Sequence, residues 1–436
     1  MARYLFQDYV SSPDASNWNA VLVRAHAAKI RPVCLCKSKG EGAQMYIAKH
    51  RESCFIKRMP FSGVAHAPHC EHYEPPSELS GLGQVNGTAI REDAESSAMV
   101  LSLDFALTKG KGRAITADSQ AEHESVRSDG TKLTMRATLH FLYDQAGLSR
   151  WSPRMSGRRS WAVVRRELYK AATDKRAKGL ALNELLFIPE TFVVNDAHII
   201  AERRANALAR LSASAANRML MVAEVKLVEP TRFGHKITFK HMPDMPLTMT
   251  EDLQKRLTRV FENELALWGQ LETTHLLLIG TMSLSPQGFY VLESACLANV
   301  NEAWIPFDSF YEYQLLDTLH MQGRKFTKGL RYNLPSIKPL ASVVLQDTGD
   351  VSAALYIIPG GAHSDYEDSA RQLTERSDMV SWFWSGGVSA MPPLPEILNE
   401  PGPHQPQQDH SDHFEKMPMP AEELPEFEVP TTDSEN

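Results

Sequence analysis

The chain has 436 residues, 43% of them hydrophobic, which is too long for one ordinary domain and enough to fill two or three cores. No run reaches the roughly 18 to 20 uncharged apolar residues of a membrane span, and Met1–Asp8 lacks the apolar core of a signal peptide, so a cytoplasmic protein with no membrane partner is expected. The net charge of −7 is uneven: eleven Asp and Glu face one Lys from Met391 onward, while Arg150–Lys178 holds ten Arg and Lys against Glu167 and Asp174.

Residues 1–33 lead in, with Trp18–His26 predicted as an amphipathic helix. Cys34-Leu35-Cys36 is followed by a turn-rich loop at 37–42, then by two predicted strands, Met45–Ala48 and Cys54–Met59. Pro60 and Gly63 break the second strand before His66-Ala67-Pro68-His69-Cys70, and residues 73–97 read as a connector. Leu101–Leu107 alternates like a strand, and 110–131 is polar and expected to be a mobile loop.

Helical spacing then marks Met135–Ala146, and Ser160 is placed to cap a second helix with Trp161, Val164, Leu168 and Ala171 on one face. Leu182–Pro189 is strand-like, and a helix is predicted over Ala197–Ser214. Arg218–Leu227 and Gly234–His241 read as a strand pair, followed by a helix at Thr250–Gln270 and strands at Thr274–Leu284 and Gly288–Leu292. The remainder reads as a helix (Phe310–Met321), an extended segment (Ala341–Leu345), a strand (Ala354–Ile358), a helix (Tyr366–Glu375) and a strand (Val380–Trp384). After Met391 the chain is acidic and Pro-rich, with Pro-Pro-Leu-Pro at 392–395, and is expected to be disordered.

Five cysteines, an odd number in a reducing compartment, argue against a disulfide framework, and four of them lie between Cys34 and Cys70. Thiolate and imidazole ligands suit Zn²⁺, and a hairpin can bring Cys34 and Cys36 back to Cys70 and a histidine. His66 and Cys70 are an i, i+4 pair, which favours His66 as fourth ligand, with His69 and Cys54 as alternatives. Cysteines are also common small core residues, which is the plainer reading. Four such ligands would close the site, making the zinc structural.

The basic segment presents Arg150, Arg154, Arg158, Arg159, Arg165, Arg166 and Lys170 beside Trp151, Trp161 and Tyr169, a composition suited to phosphates and stacked bases. A solvated charged face, or an acidic partner such as the chain's own tail, would use the same charges. No catalytic residue is predicted. Glu224-Val225-Lys226 has the E-x-K spacing of metal-dependent nucleases of the PD-(D/E)xK type. Its upstream acid is missing, because Glu190 and Asp196 are separated from it by a predicted helix. The elements after Phe307 follow the same nuclease order, with Glu312 at the helix-acid position. Lys338-Pro339-Leu340 and Ile357-Ile358-Pro359 stand where Pro-Asp and E-x-K belong, so that domain is expected to be degenerate, and Asp347 and Asp350 read as turn residues. No phosphate-binding glycine loop or G-x-S-x-G is present.

Cys34-Leu35-Cys36, Arg58-Met59-Pro60 with His66–Cys70, Gly157-Arg158-Arg159-Ser160-Trp161, Glu224-Val225-Lys226 and Leu330-Arg331-Tyr332-Asn333 together resemble a bacterial family, domain of unknown function number 1173. That family is characterised by three N-terminal cysteines, which would be Cys34, Cys36 and Cys70. The resemblance covers roughly residues 15–390 and implies a bacterial source linked to plasmids and integrated mobile elements; it supplies no reaction. A looser likeness of architecture is to competence-associated proteins of the CoiA kind.

The expectation is a mixed α/β, α+β multidomain protein. Its parts are a zinc-hairpin module (1–97), a basic helical and central α+β region (98–300), a restriction-endonuclease-like α/β domain (301–390) and a disordered acidic tail (391–436). The expected role is a zinc-containing, nucleic-acid-associated accessory protein of a mobile element, binding DNA through the basic helices and without catalysis. The alternatives are a metal-dependent nuclease and a protein-interaction scaffold docking through the tail.

Overall fold

The structure is a computed structural model describing residues 2–37, 42–50, 53–59, 62–92, 99–108, 130–173, 175–349, 351–362 and 364–398. The loop expected at 110–131 lies almost wholly outside the described residues, and so does the expected disordered tail beyond 398. The architecture is mixed α/β, and among the described residues no helix is long and apolar enough to cross a membrane. The chain forms two compact units, one of Met1–Pro76, Gln346–Ser352 and Pro395–Asn436, the other of Ser77–Leu345 and Ala353–Leu394.

The first unit is an antiparallel sheet of β1 (Tyr4–Phe6), β2 (Tyr9–Ser11), β3 (Val33–Cys34), β4 (Ala43–His50) and β5 (Ser53–Arg58), in the order β2-β1-β3-β4-β5. Helix α1 (Trp18–Ala27) buries Val21, Leu22 and Ala25, a stripe at helical spacing, and packs on β4 and β5. Tyr4 and Phe6 are buried against Trp18 and anchor the short N-terminal strand.

The second unit opens with α2 (Leu82–Val85), β6 (Ile90–Glu92), β7 (Met99–Leu101), α3 (Met135–Gln145), β8 (Arg150–Trp151), α4 (Trp161–Ala172), β9 (Lys175–Ala177) and β10 (Leu180–Ala181). Strands β10-β9-β7-β6 form a small sheet. Helix α4 buries Trp161, Val164, Leu168 and Ala171, the predicted face, but Ser160 makes no side-chain capping bond. Leu182–Pro189, read as a strand, is instead a short helix, α5 (Leu182–Leu185), running into β11 (Leu186–Phe187); a brief apolar run carries no period to separate the two.

The middle of this unit holds α6 (Ala197–Ala207), α7 (Ala209–Ala213), β12 (Met219–Thr231), β13 (Gly234–Phe239), β14 (Met242–Met249), α8 (Glu251–Val260), α9 (Glu262–Gln270), β15 (His275–Leu284), β16 (Tyr290–Val300) and β17 (Pro306–Phe307). Strand β12 pairs with β15 through Met219–Glu224 and with β13 through Val225–Thr231, bending at a bulge between Val225 and Leu227. Strand β13 pairs with β14, β14 runs parallel to β16 at Thr248 and Val291, and β16 pairs antiparallel with β15. The pairings therefore close on themselves as β12-β13-β14-β16-β15-β12, a five-stranded barrel with α8 and α9 inserted between its third and fourth strands. Its wall is filled by Leu220, Val222, Phe239, Leu247, Leu277 and Ile279, all fully buried, and α8 seals it with Leu253 and Leu257. Gly280 permits the close approach of β15 to β16, since a Cβ there would lie 2.6 Å from the Ser294 carbonyl oxygen.

The end of the unit comprises α10 (Phe310–Met321), β18 (Phe326–Lys328), β19 (Val343–Leu345), β20 (Ala353–Ile358), α11 (Tyr366–Glu375) and β21 (Val380–Ser385). Strands β18, β19 and β20 form an antiparallel meander, α11 crosses over, and β21 runs parallel to β20; β8 pairs on the outer side of β18. The segment Leu330–Asn333 ties this region to α3. The Tyr332 amide donates to His140 Nδ1 at 2.9 Å and its hydroxyl to Asp144 at 2.6 Å, while Asn333 bonds Thr134 and the Lys132 carbonyl. Tyr332 holds φ +50 to make both bonds, a backbone state non-glycine residues rarely adopt.

Candidate metal centre

Strand β3 ends at Cys34, which is fixed between Tyr4 of β1 and Ala43 of β4, and the Leu35 amide bonds the Arg3 carbonyl at 2.9 Å just before Cys36. The β4–β5 hairpin then returns the chain to the same end of the sheet, with Arg58 pairing with Met45 beside Ala43. A turn with Pro68 at its second position, closed by the Cys70 amide to the Ala67 carbonyl at 2.9 Å, brings His66 and Cys70 to face both thiols. Cys34, Cys36, His66 and Cys70 converge so that their four ligand atoms lie within 4.8 Å of one another. Cys54 sits within β5, and neither it nor His69 belongs to the cluster, so His66 is the fourth member.

The spacing can be tested against a tetrahedral cation. With Zn–S near 2.3 Å and Zn–N near 2.0 to 2.1 Å, the tetrahedron's edges are about 3.8 Å between sulfurs and about 3.5 Å from sulfur to nitrogen. Cys34 Sγ and Cys70 Sγ are 3.8 Å apart, and His66 Nδ1 stands 3.5 Å from Cys36 Sγ and 3.6 Å from Cys70 Sγ. A disulfide would need about 2.0 Å, so the pair is not one. The donor set fits a tetrahedral metal of the thiolate-preferring kind.

Electrostatics agree with the geometry. Hydrogen bonds from Cys34 and Cys70 hold Cys36 well below the usual thiol range, and the same contacts push Cys34 well above it. One thiolate is thus favoured and three together are not, a conflict that a divalent cation removes. Two backbone amides already face the sulfurs: Ala67 N–H donates to Cys36 Sγ and His72 N–H to Cys70 Sγ, both at 3.4 Å. Around them the buried Tyr4 hydroxyl bonds Glu71 at 3.0 Å and His72 Nε2 at 2.6 Å, bracing the turn that carries Cys70. Three of the four members are buried and Cys36 is half-buried, and four such ligands equal the number a tetrahedral ion takes.

The structure places the basic residues unequally. Arg154, Arg158 and Arg166 are exposed, with Arg166 turned toward Glu167 at 2.7 Å. Lys170 also meets Glu167, at 3.2 Å, and Arg165 spends its Nε on the Ile188 carbonyl while lying over Tyr169. Arg150 is half-buried in β8. Arg159 turns inward, donating to the carbonyls of Leu148 at 2.9 Å and Ala303 at 3.2 Å and also to that of Arg150, so it pins the turn before α4.

Glu224 and Lys226 are not brought together: Glu224 is buried, whereas Lys226 is the exposed residue at the bulge itself. Glu224 instead accepts from His275 Nδ1 at 2.6 Å, from Lys240 at 2.5 Å and from His241 Nε2 at 3.3 Å. Burial opposes its charge, but these donors prevail and hold its carboxyl well below the usual range. Trp161 stacks on His241 and Trp304 on His275, at 4.9 Å and 4.1 Å between centroids. Three donors already engage both oxygens of the carboxylate, so its position serves this local network. Glu312 is likewise occupied: Ser309 caps its amide, and its own oxygens take the Asp308 amide at 2.8 Å and buried Lys328 at 3.0 Å.

A family model described as "Protein of unknown function (DUF1173)" matches residues 4–387. The chain belongs to that family. No curated protein and no solved structure matches it. The match spans both compact units of this DUF1173 protein, the Cys/His cluster of the first and the barrel and terminal sheet of the second.

Proposed function

We propose that this DUF1173 protein is a zinc-containing, nucleic-acid-associated accessory protein of a plasmid or integrated mobile element, acting without catalysis of its own. The spacing of Cys34, Cys36, His66 and Cys70 supports the zinc, and their closure makes it a staple for the first unit. The observation that carries the nucleic-acid reading is the connectivity of the barrel. Its strand order, 1-2-3-5-4-1, with the first strand bulged and shared between the second and fourth and helices between the third and fourth, is that of the OB-fold. That scaffold recurrently binds oligonucleotides, and here the exposed Arg154, Arg158 and Arg166 belong to the same unit.

The nuclease alternative has less support. The terminal elements run helix, three strands, helix, strand, as in PD-(D/E)xK enzymes, yet β19 and β20 carry no acid and no lysine, and β19 and the first five residues of β20 are buried. Glu224 and Glu312 are engaged elsewhere, as described above. A salt series with fluorescent DNA and RNA oligonucleotides tests the proposal. Affinity should fall steeply and linearly on log axes, with a slope set by the number of phosphates contacted. Absence of binding at low salt would reject the nucleic-acid role.

A further inference from the structure

We infer that the barrel takes its nucleic acid single-stranded, by stacking bases on Phe233 and Phe289. The inference deepens the nucleic-acid reading and rests on it. Phe233 forms the tip of the two-residue turn between β12 and β13, and Phe289 closes the loop between β15 and β16. They are the two most exposed aromatic side chains named among the described residues, at 86% and 62%. A lone exposed aromatic is ordinary, but two on neighbouring barrel loops are not explained by packing.

Register places these loops together. At the closing end of the barrel His235 pairs with Met249 and Thr248 pairs with Val291, so the bases of the two loops are separated by the single strand β14. Two inter-strand spacings make that roughly 10 Å, a gap that a single strand with splayed bases can bridge. In OB-folds these same two loops, between strands 1 and 2 and between 4 and 5, frame the oligonucleotide face.

The backbone that carries each ring is fixed. Gly234 follows Phe233 at φ +121, and a Cβ there would meet the Met249 carbonyl oxygen at 2.5 Å, so only glycine makes this turn. The Ser285 amide donates to the Phe289 carbonyl at 2.8 Å, and the Phe289 amide donates to Ser285 Oγ at 3.1 Å. A pre-ordered loop backbone lowers the entropy cost of binding. Arg232 lies over the Phe233 ring at 5.1 Å, adding a cation beside a stacking surface, and neither turn (Arg232-Phe233, Ser285–Phe289) contains an acidic residue. An aromatic platform with an adjacent guanidinium suits a base joined to a phosphate. A duplex offers its phosphates but no free base face, because its bases are already stacked.

The test uses the full chain with a fluorescent 15-nucleotide oligothymidylate and a mixed-sequence duplex of the same length. Single-strand binding should exceed duplex binding, and Phe233→Ala and Phe289→Ala should each weaken it about tenfold, the loss of one stacked base, with an unchanged salt slope. Thermal midpoints should stay at the wild-type value, since both rings are exposed. Equal or stronger duplex binding, or single-strand affinity unmoved by either substitution, overturns the inference while leaving nucleic-acid association standing. Failure to bind either probe at low salt removes both.

Discussion

His140 offers a quantitative test of how the second unit is joined. Its ring is buried in α3, and Nδ1 accepts the Tyr332 amide, so the imidazole must be neutral there. Burial brings its pKa down to about 3, with Arg136, Lys328 and Arg331 acting in the same direction against Asp308. The unfolded chain regains the ordinary value near 6.5, so below that pH it binds a proton that the folded state refuses. Stability from this group is therefore complete above about pH 6.5 and is lost as pH falls towards 3, at about 1.4 kcal/mol per unit. Asn at this position keeps an acceptor near the Tyr332 amide and cannot titrate. Guanidinium unfolding of wild type and His140→Asn at pH 7.5, 6.5, 5.5 and 4.5 isolates the term, because all other groups are common to both. The stability difference should shift against wild type by about 2 to 3 kcal/mol between pH 6.5 and 4.5. A difference independent of pH would show that His140 is not held neutral by burial and that its Nδ1 does not accept the Tyr332 amide.

Cys70→Ser should lower zinc content and the protease resistance of Met1–Pro76, read by metal analysis and limited proteolysis, while far-ultraviolet dichroism changes little because most secondary structure lies in the second unit. Arg158→Ala, an exposed change, should leave the thermal midpoint in place and reduce the salt slope of oligonucleotide binding by about one. Arg159→Ala should do the reverse, destabilising by about 2 to 4 kcal/mol as the carbonyls of Leu148 and Ala303 lose their buried donor. Gly81→Ala should cost about 3 kcal/mol, because a Cβ would fall 1.8 Å from the Arg331 carbonyl oxygen and backbone must move; an unchanged denaturation midpoint would contradict that contact.

Elements whose pattern is local were legible in the sequence. The stripe Trp161, Val164, Leu168 and Ala171 marks α4 because one helical face alone is buried, and β4 and β5 are betrayed by a polar turn between short apolar runs. Three of the four cluster members follow from cysteine spacing and the i, i+4 relation of His66 to Cys70 points to the fourth, while the Pro68 turn shows why His69 and Cys54 stay outside. Strand β14 was hidden because Pro243 and Pro246 argue against a strand, and they are tolerated here since β14 meets β16 at a single pair. The barrel itself is made by the pairings of β12 with β15 and of β14 with β16, contacts between residues too far apart in sequence for any periodicity to register. The same distance scatters the partners of Glu224 over Lys240, His241 and His275, and hides the proximity of the Phe233 and Phe289 loops.

Metal analysis of the full chain tests the centre at Cys34, Cys36, His66 and Cys70 most directly. Elemental analysis after exhaustive dialysis should find one zinc per chain in the wild type and close to none in Cys36→Ser. A folded wild-type protein without zinc, with the thiols of Cys34, Cys36 and Cys70 reacting freely, would contradict it.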